Sequence, residues 1–249
     1  SESINIVDTK KENKLIVHFS DELPNDVNAK FSAKVNAIDR KASARNHTAT
    51  HLLHESLRTI LGEHVAQKGS LVNPSYLRFD FTHFSKIEKA DLKKIEADVN
   101  AKILANIILD EHINLPLKKA EDMGAIMLFG EKYDDEVRVL SMGEKSFSVE
   151  LCGGTHVSSA GEIGSLRITS ESAISAGTRR IEAVAGLSAY QWTDQRVSLI
   201  QQLTRQLACK PNELTDRIIQ MQTKSKELDK KLRAFEQKGH AGIADKLIE

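Results

Sequence analysis

Apolar and polar side chains alternate in the first forty residues, a pattern typical of half-buried β-strands. The alternation runs through residues 15–19 and again through residues 27–35, where valine, alanine and phenylalanine take every second position. A polar stretch at residues 8–13 precedes the first run and suits a hairpin loop. We therefore expect residues 1–42 to form a small β subdomain that is part of a barrel-like unit.

The period changes at residue 44, where the central region begins. Apolar side chains recur at helical spacing until Gly62, which predicts a helix over residues 44–61. A capping-box pattern at residues 85–88 predicts a second helix, ending near residue 108. Short alternating runs predict antiparallel strands at residues 77–81, 136–140, 146–151, 164–169 and 178–184. The sequence thus predicts an α+β fold with residues 43–186 as its core.

From residue 187 onward, glycine and aromatic residues nearly disappear and charged residues, glutamine and leucine dominate. Apolar residues follow a heptad seam from Leu214 to Phe235, and a shorter stripe runs from Val197 to Leu207. Pro211 lies between the two and indicates a turn. We predict an antiparallel helical hairpin over residues 187–249 whose helices bury one seam together; a weak dimer through the hairpin is the alternative.

The amino-acid composition excludes several classes of protein. The 35 basic and 35 acidic residues cancel, so the chain is not a globally basic nucleic-acid binder, although a local basic patch remains compatible. No apolar run suits a membrane span and no signal peptide is recognisable. The two cysteines, Cys152 and Cys209, are too few for a disulfide framework, which predicts a reducing compartment, the cytoplasm. Because Ser1 is not a methionine, we expect a piece of a longer protein.

Two widely separated pairs of side chains have the spacing of metal ligands. His47 and His51 lie four residues apart on a predicted helix and so project from one face. Cys152 and His156 repeat that spacing, and the two glycines that follow the cysteine permit a tight backbone course. Three imidazoles and a thiolate form a donor set suited to tetrahedral Zn²⁺. A catalytic and a purely structural metal both fit, and the lack of an HExxH motif argues against a zinc protease.

The residues around these pairs resemble a known family. Six motifs are similar, in order, to the editing domain of alanyl-tRNA synthetases: residues 45–54, 67–72, 77–81, 129–133, 151–157 and 179–184. The resemblance covers residues 1–186, and the helical segment after it resembles the link to the C-terminal domain of that enzyme. The aminoacylation motifs are absent from the sequence, so we do not expect this chain to charge tRNA.

The resemblance implies hydrolysis of the ester that joins a wrong amino acid to tRNA(Ala). A site shaped for alanine cannot strongly exclude glycine and rejects serine only about 10- to 200-fold, so a second site must remove both errors. The resemblance also implies Zn²⁺ on His47, His51, Cys152 and His156. The implied partners are the acceptor end of tRNA(Ala) and the remainder of a synthetase chain in cis.

Further site residues follow from the resemblance and from side-chain chemistry. We expect Gln67 to hydrogen-bond the substrate or orient water, and Thr50 to sense the seryl hydroxyl. Other substrate and tRNA contacts are expected from Thr48, Gly69, Arg45, Lys68, Arg179 and Arg180. Ordinary alternatives are a helix-surface threonine, a loop glutamine and an arginine paired with Glu182.

Two other functions stay open from the sequence. One is a free-standing deacylase of the same family that edits in trans. The other, from a different class, is a zinc-stabilised RNA-binding or oligomerisation module without turnover.

Overall fold

The computed structural model describes residues 2–13, 15–127, 133–143 and 147–248, with side chains as far as residue 236. It divides the chain into two compact units, Ser1–Asn36 and Ala37–Glu249. The domain boundaries predicted at residues 42 and 186 stay predictions. Among the described residues, every helix is too short or too polar to cross a membrane.

The first unit contains a β-hairpin in which β1 (Asp8–Glu12) pairs antiparallel with β2 (Leu15–Phe19). The polar run predicted as a loop is therefore a strand, and the turn falls at Asn13, whose φ of 56° asparagine tolerates. Residues 27–35 form no strand despite their alternation, because no neighbouring strand pairs with their backbone, and Val27 stays 71% exposed. The barrel-like expectation is wrong for the described residues of this unit.

The second unit is organised around a long helix, α1 (Ala37–Leu61). The helix begins seven residues before the predicted start. The prediction missed these residues because they are mostly exposed and carry no apolar periodicity. It ends as predicted at Gly62, whose φ of +118° favours glycine and whose N–H donates to the carbonyl of Arg58. This helix supplies one half of the site described below.

Two antiparallel sheets accompany α1, where the sequence indicated one. The first contains β3 (Gln67–Val72), β4 (Leu77–Thr82), β8 (Leu166–Ser175) and β9 (Thr178–Ala185) in the order β3-β4-β9-β8. The second contains β5 (Leu109–Pro116), β6 (Glu136–Met142) and β7 (Ser148–Leu151). Strand β5 was not predicted, and residue 146 of the predicted strand 146–151 lies outside the described residues. The α+β class is confirmed.

The main hydrophobic core lies between α1, the four-stranded sheet and α2 (Lys89–Leu104). Its largest fully buried side chains include Leu53 of α1, Phe79 of β4 and Ile95 of α2. Helix α2 begins later than the capping box predicted at residues 85–88, and its N-cap is Glu88. The Ser85 hydroxyl does not cap the helix but lies 3.2 Å from Nε2 of His83. Packing of this kind holds α1 in place by burying apolar area on one of its faces.

A short helix α3 (Leu117–Asp122) follows β5, and two helices end the chain: α4 (Leu187–Leu207) and α5 (Leu214–Ile248). The turn predicted between the last two is present as a 3-10 turn at Pro211–Glu213. The predicted joint burial of their seam is wrong, because Leu228, Leu232 and Phe235 are 55%, 59% and 80% exposed. Apolar stripes on both α4 and α5 do not determine the angle at which the turn between them sets the second helix.

Candidate metal centre and adjoining cavity

The two ligand pairs predicted from the sequence meet in the folded chain. The donor atoms of His47, His51, Cys152 and His156, hereafter the His/Cys cluster, all lie within 4.8 Å of one another. The Cys152 Sγ is 3.5 Å from Nε2 of His47 and 3.3 Å from Nε2 of His156. Bonds of ~2.1 Å to nitrogen and ~2.3 Å to sulfur place tetrahedral zinc donors roughly 3.3 to 3.6 Å apart. The two distances from the sulfur match that geometry, and the four donors as a set lie within 4.8 Å of one another.

His51 gives a second sign that the cluster fits a cation. Its Nε2 is buried and has no hydrogen-bond partner among the residues that the structure describes, while its Nδ1 lies 2.7 Å from Oε2 of Glu150. A buried nitrogen without a partner costs free energy. A metal on Nε2 would remove that cost, so the residues present fit a zinc ion.

The electrostatics of the His/Cys cluster favour the forms that bind metal at its sulfur and at one imidazole. Burial alone would raise the pKa of the Cys152 thiol, but hydrogen bonds with the surrounding histidines lower it to about 3, so the thiolate is present at neutral pH. Burial lowers the pKa of His156 to about 4, which keeps that ring neutral. Thiolate and neutral imidazole are the forms that ligate zinc.

His51 and Glu150 form a buried charged pair beside the sulfur. Burial opposes protonation of His51, but the Glu150 carboxylate and Cys152 outweigh it and raise the His51 pKa to about 10. Burial would raise the pKa of Glu150, yet His51 and His54 hold it well below its usual range. The carboxylate is therefore ionised at neutral pH.

A glycine-containing turn carries the second half of the cluster. A Cβ built on Gly154 would lie 2.1 Å from Cε1 of His47, so only glycine lets the turn approach the helix. Gly153 is different, since a Cβ there meets nothing within 4 Å. The two glycines of the motif therefore have unequal roles.

Two side chains that lie away from the turn in sequence fix its position. Arg138 of β6 donates through Nη1 to the carbonyls of Cys152 at 2.8 Å and Gly154 at 2.6 Å, and it pairs with Glu111. Thr48 is fully buried; its Oγ1 lies 3.2 Å from Nδ1 of His156 and accepts the N–H of Val157. Thr48 thus contacts a predicted ligand, whereas we had expected it to contact substrate.

A cavity of about 90 Å³ adjoins the His/Cys cluster. Besides three members of the cluster, its walls contain Thr50, His54, Gln67, Ser70, Phe79, Ile126, Glu150 and Leu151. Both residues predicted to act in catalysis, Gln67 and Thr50, are therefore beside the cluster. The Thr50 hydroxyl donates to the Asn46 carbonyl at 2.8 Å, which leaves its oxygen able to accept one hydrogen bond from a ligand.

An irregular register in β3 directs Gln67 toward this cavity. Gln67 pairs with Phe81 and Gly69 pairs with Asp80, so Lys68 is the extra residue of a β-bulge. A Cβ on Gly69 would lie 3.4 Å from Oδ2 of Asp80, an ordinary van der Waals contact. Lys68 is exposed.

The three arginines predicted to contact tRNA all have partners within the protein. Arg45 donates to the Glu162 carbonyl at 2.8 Å, and Arg179 pairs with Glu171. Arg180 forms a two-pronged ion pair with Asp80 at 2.7 and 2.9 Å. The ion pairs join Arg180 to Asp80 and Arg179 to Glu171, where the sequence had suggested Glu182; the tRNA contacts stay predictions.

The sequence reasoning missed three residues of the site. His54 is buried against the cavity, and among the described residues neither of its ring nitrogens has a hydrogen-bond partner. Glu150 and Arg138 were not predicted as site residues, because a single charged residue in a strand belongs to no recognisable motif. The one available signal was an acidic residue in an otherwise apolar run directly before Cys152.

Comparison with known proteins gives a consistent result. The family described as "Threonyl and Alanyl tRNA synthetase second additional domain" matches residues 137–182. An alanine-tRNA ligase of Flavobacterium psychrophilum is 44% identical over 99% of this chain and 27% of its own length. One from Bacteroides fragilis is 53% identical over 78% of this chain and 22% of its own length. The chain thus spans about a quarter of the curated relatives that it matches.

Proposed function

The chain belongs to the family that carries the second additional domain of threonyl and alanyl tRNA synthetases, and on that premise we propose that it edits mischarged tRNA(Ala). The proposed reaction is hydrolysis of the ester of Ser-tRNA(Ala) and Gly-tRNA(Ala). The observation that carries this proposal is a small cavity with one wall formed by the His/Cys cluster.

The size of the cavity supports a small substrate group. About 90 Å³ holds several water molecules and so has room for a glycyl or seryl group, but not for a large side chain. A cavity of this size cannot by volume alone spare alanine, which is smaller than serine. Discrimination of serine from alanine therefore has to come from a polar contact that only the seryl hydroxyl makes, whereas glycine differs from alanine only by the absent methyl group.

Thr50 and Gln67 can provide the polar contacts of the reaction. The Thr50 hydroxyl donates its hydrogen bond to the Asn46 carbonyl, so its oxygen can accept a hydrogen bond from the seryl hydroxyl. The methyl group of an alanyl ester has no hydrogen-bond donor. Gln67 has both a carbonyl and an amide, so it can hold the ester end or orient the attacking water. When bound at the His/Cys cluster, zinc supplies a positive charge that polarises the ester or a nearby water.

The acceptor end of tRNA(Ala) is the proposed polymeric partner, together with the rest of a synthetase chain in cis. Lys68 is exposed next to Gln67, so it is the cation best placed to meet a phosphate. Arg45, Arg179 and Arg180 contribute less to such contacts, because each already has a partner.

The test is hydrolysis of Ser-tRNA(Ala), Gly-tRNA(Ala) and Ala-tRNA(Ala) by the purified chain, with zinc content measured on the same sample. We expect the seryl and glycyl esters to be cleaved and the alanyl ester to be spared. Cys152→Ala and Gln67→Ala should remain folded and lose Ser-tRNA(Ala) hydrolysis.

Matched controls are available within the chain. Cys209→Ala removes the other cysteine, and Gln201→Ala removes an exposed glutamine of α4; both should hydrolyse at the wild-type rate. Folded wild-type protein that binds zinc and tRNA without turnover would instead indicate a non-catalytic RNA-binding module.

A further inference from the structure

Glu150 is a buried carboxylate to which the proposed reaction gives no task. It lies on β7, only 6% exposed, two residues before Cys152. An ionised carboxylate in such a place is destabilised by the loss of its hydration unless charged or polar partners compensate it. Its partners therefore indicate what it does.

Three groups face the Glu150 carboxylate. Oε2 lies 2.7 Å from Nδ1 of His51, the closest of the contacts. Oε1 accepts the Ser148 hydroxyl at 3.1 Å and lies 3.5 Å from Nδ1 of His54, which is long for a hydrogen bond. The carboxylate thus makes its best contact with a predicted metal ligand, through the ring nitrogen that does not face the metal site.

The hydrogen bond on one ring nitrogen determines what the other nitrogen can do. When Nδ1–H of His51 donates to Glu150, the proton that zinc displaces on binding is the one on Nε2, and the lone pair left there is the one that can ligate the ion. That nitrogen is the buried one without a partner, and it belongs to the His/Cys cluster. The contact also fixes the rotation of the ring, so the lone pair is presented at a set angle.

Glu150 also joins the two halves of the cluster. It is on the strand that leads directly into Cys152, while His51 is on α1. One hydrogen bond therefore ties the helix-borne pair to the segment that carries the loop-borne pair.

We propose that Glu150 is the positioning residue of the metal centre: it orients His51 and sets its tautomer, and thereby raises zinc affinity. The proposal rests on the metal centre of the proposed function and not on the ester hydrolysis, so either can fail without the other.

The test compares zinc dissociation constants, measured by competition with a chromophoric chelator at fixed pH. Glu150→Ala should bind zinc about 10- to 100-fold more weakly than the wild type, the usual loss when a ligand's outer partner is removed. Glu150→Gln should fall in between, because its amide oxygen still accepts the Nδ1–H. Asp98→Asn is the control, since Asp98 accepts from Ser56 at 2.6 Å without touching the cluster; its zinc affinity should equal that of the wild type.

Two further readouts separate positioning from a purely structural role. Co²⁺-loaded Glu150→Ala should show altered absorption bands, because the ring that Glu150 orients is itself a ligand. Unfolding of the metal-free variants should show that Glu150→Gln is folded; an unfolded Glu150→Gln would make the carboxylate a folding element and overturn the proposal. Zinc affinity within about 2-fold of wild type in both variants, or no zinc binding by the wild type, would overturn it as well.

Discussion

The helix-borne pair and the loop-borne pair of the candidate metal centre share the same four-residue spacing but are held in place differently. His47 and His51 project from α1, whose opposite face is fixed by core side chains such as Leu53. Cys152 and His156 flank a turn outside regular structure, positioned by Gly154 and by hydrogen bonds from Arg138. One pair depends on core packing, and the other depends on a few polar contacts.

This difference predicts separable consequences of mutation. Changes behind the helix should lower the free energy of unfolding and leave zinc affinity nearly unchanged, because α1 remains a helix with the same two rings on one face. Changes around the turn should lower zinc affinity with a smaller effect on folding, because few buried apolar contacts depend on the turn.

The largest effect is expected from Gly154→Ala. The added Cβ would meet the His47 ring at 2.1 Å, so the turn or the ring must move and the donor set opens. We expect zinc affinity to fall at least ~100-fold, beyond the usual loss of an outer partner. Gly153→Ala, whose Cβ meets nothing within 4 Å, should bind zinc normally in the same titration. Equal behaviour of the two variants would contradict the unequal roles of the glycines.

The next effect concerns the helix. Leu53→Ala should lower the free energy of unfolding by about 2 to 5 kcal/mol, because it leaves a cavity in the core. Zinc affinity of the folded protein should stay within about 3-fold of wild type. Urea unfolding and chelator competition measure the two quantities, and Leu104→Ala, an exposed leucine of α2, should change neither. A large loss of zinc affinity in Leu53→Ala would show that the helix-borne pair is not independently secured.

A smaller effect is expected from Arg138→Met. The carbonyls of Cys152 and Gly154 lose their shared donor, so the turn loosens and zinc affinity should fall about 10-fold. Arg138→Lys should recover only part of the loss, since one ammonium group cannot contact both carbonyls and also replace the separate Nε that pairs with Glu111. The remote variant Arg167→Met should bind zinc as the wild type does, and a full rescue by lysine would argue that charge alone matters.

The smallest effect is a pH dependence at the end of the loop-borne segment. Glu162 accepts hydrogen bonds from Ser158 and Ser159, and these hold its pKa below the ordinary 4.5. A carboxyl group whose pKa is lower in the folded than in the unfolded protein stabilises the fold at pH values above its unfolded-state pKa. That contribution is lost as the pH falls through its folded-state pKa. Glu162→Gln should therefore be less stable than wild type at pH 7, by at most about 1 kcal/mol as for an exposed cap. The difference should shrink toward pH 3 in thermal unfolding, and a constant difference would contradict the assigned contacts.

Hydrophobic periodicity predicted the helices and strands whose apolar faces are buried. It failed where apolar positions repeat regularly but are exposed, and where a strand has few buried side chains. The end of α1 at Gly62 and strands β6, β8 and β9 were predicted because their alternation or helical spacing reflects contact with the core. Residues 27–35 alternate equally well but pair with no strand, and β5 was missed because most of its side chains are exposed. The α5 seam has heptad spacing without a packed partner in the described residues.

The sequence by itself indicated the four candidate donors, since imidazole and thiolate chemistry and four-residue spacing are local properties. It also determined the family resemblance, to which the comparisons gave support. Only the tertiary structure decided that the two pairs meet, that Glu150 and Arg138 hold them, and that Gln67 and Thr50 share their cavity. These are contacts between residues far apart along the chain, and no local pattern records them because each depends on how the helix and the two sheets pack.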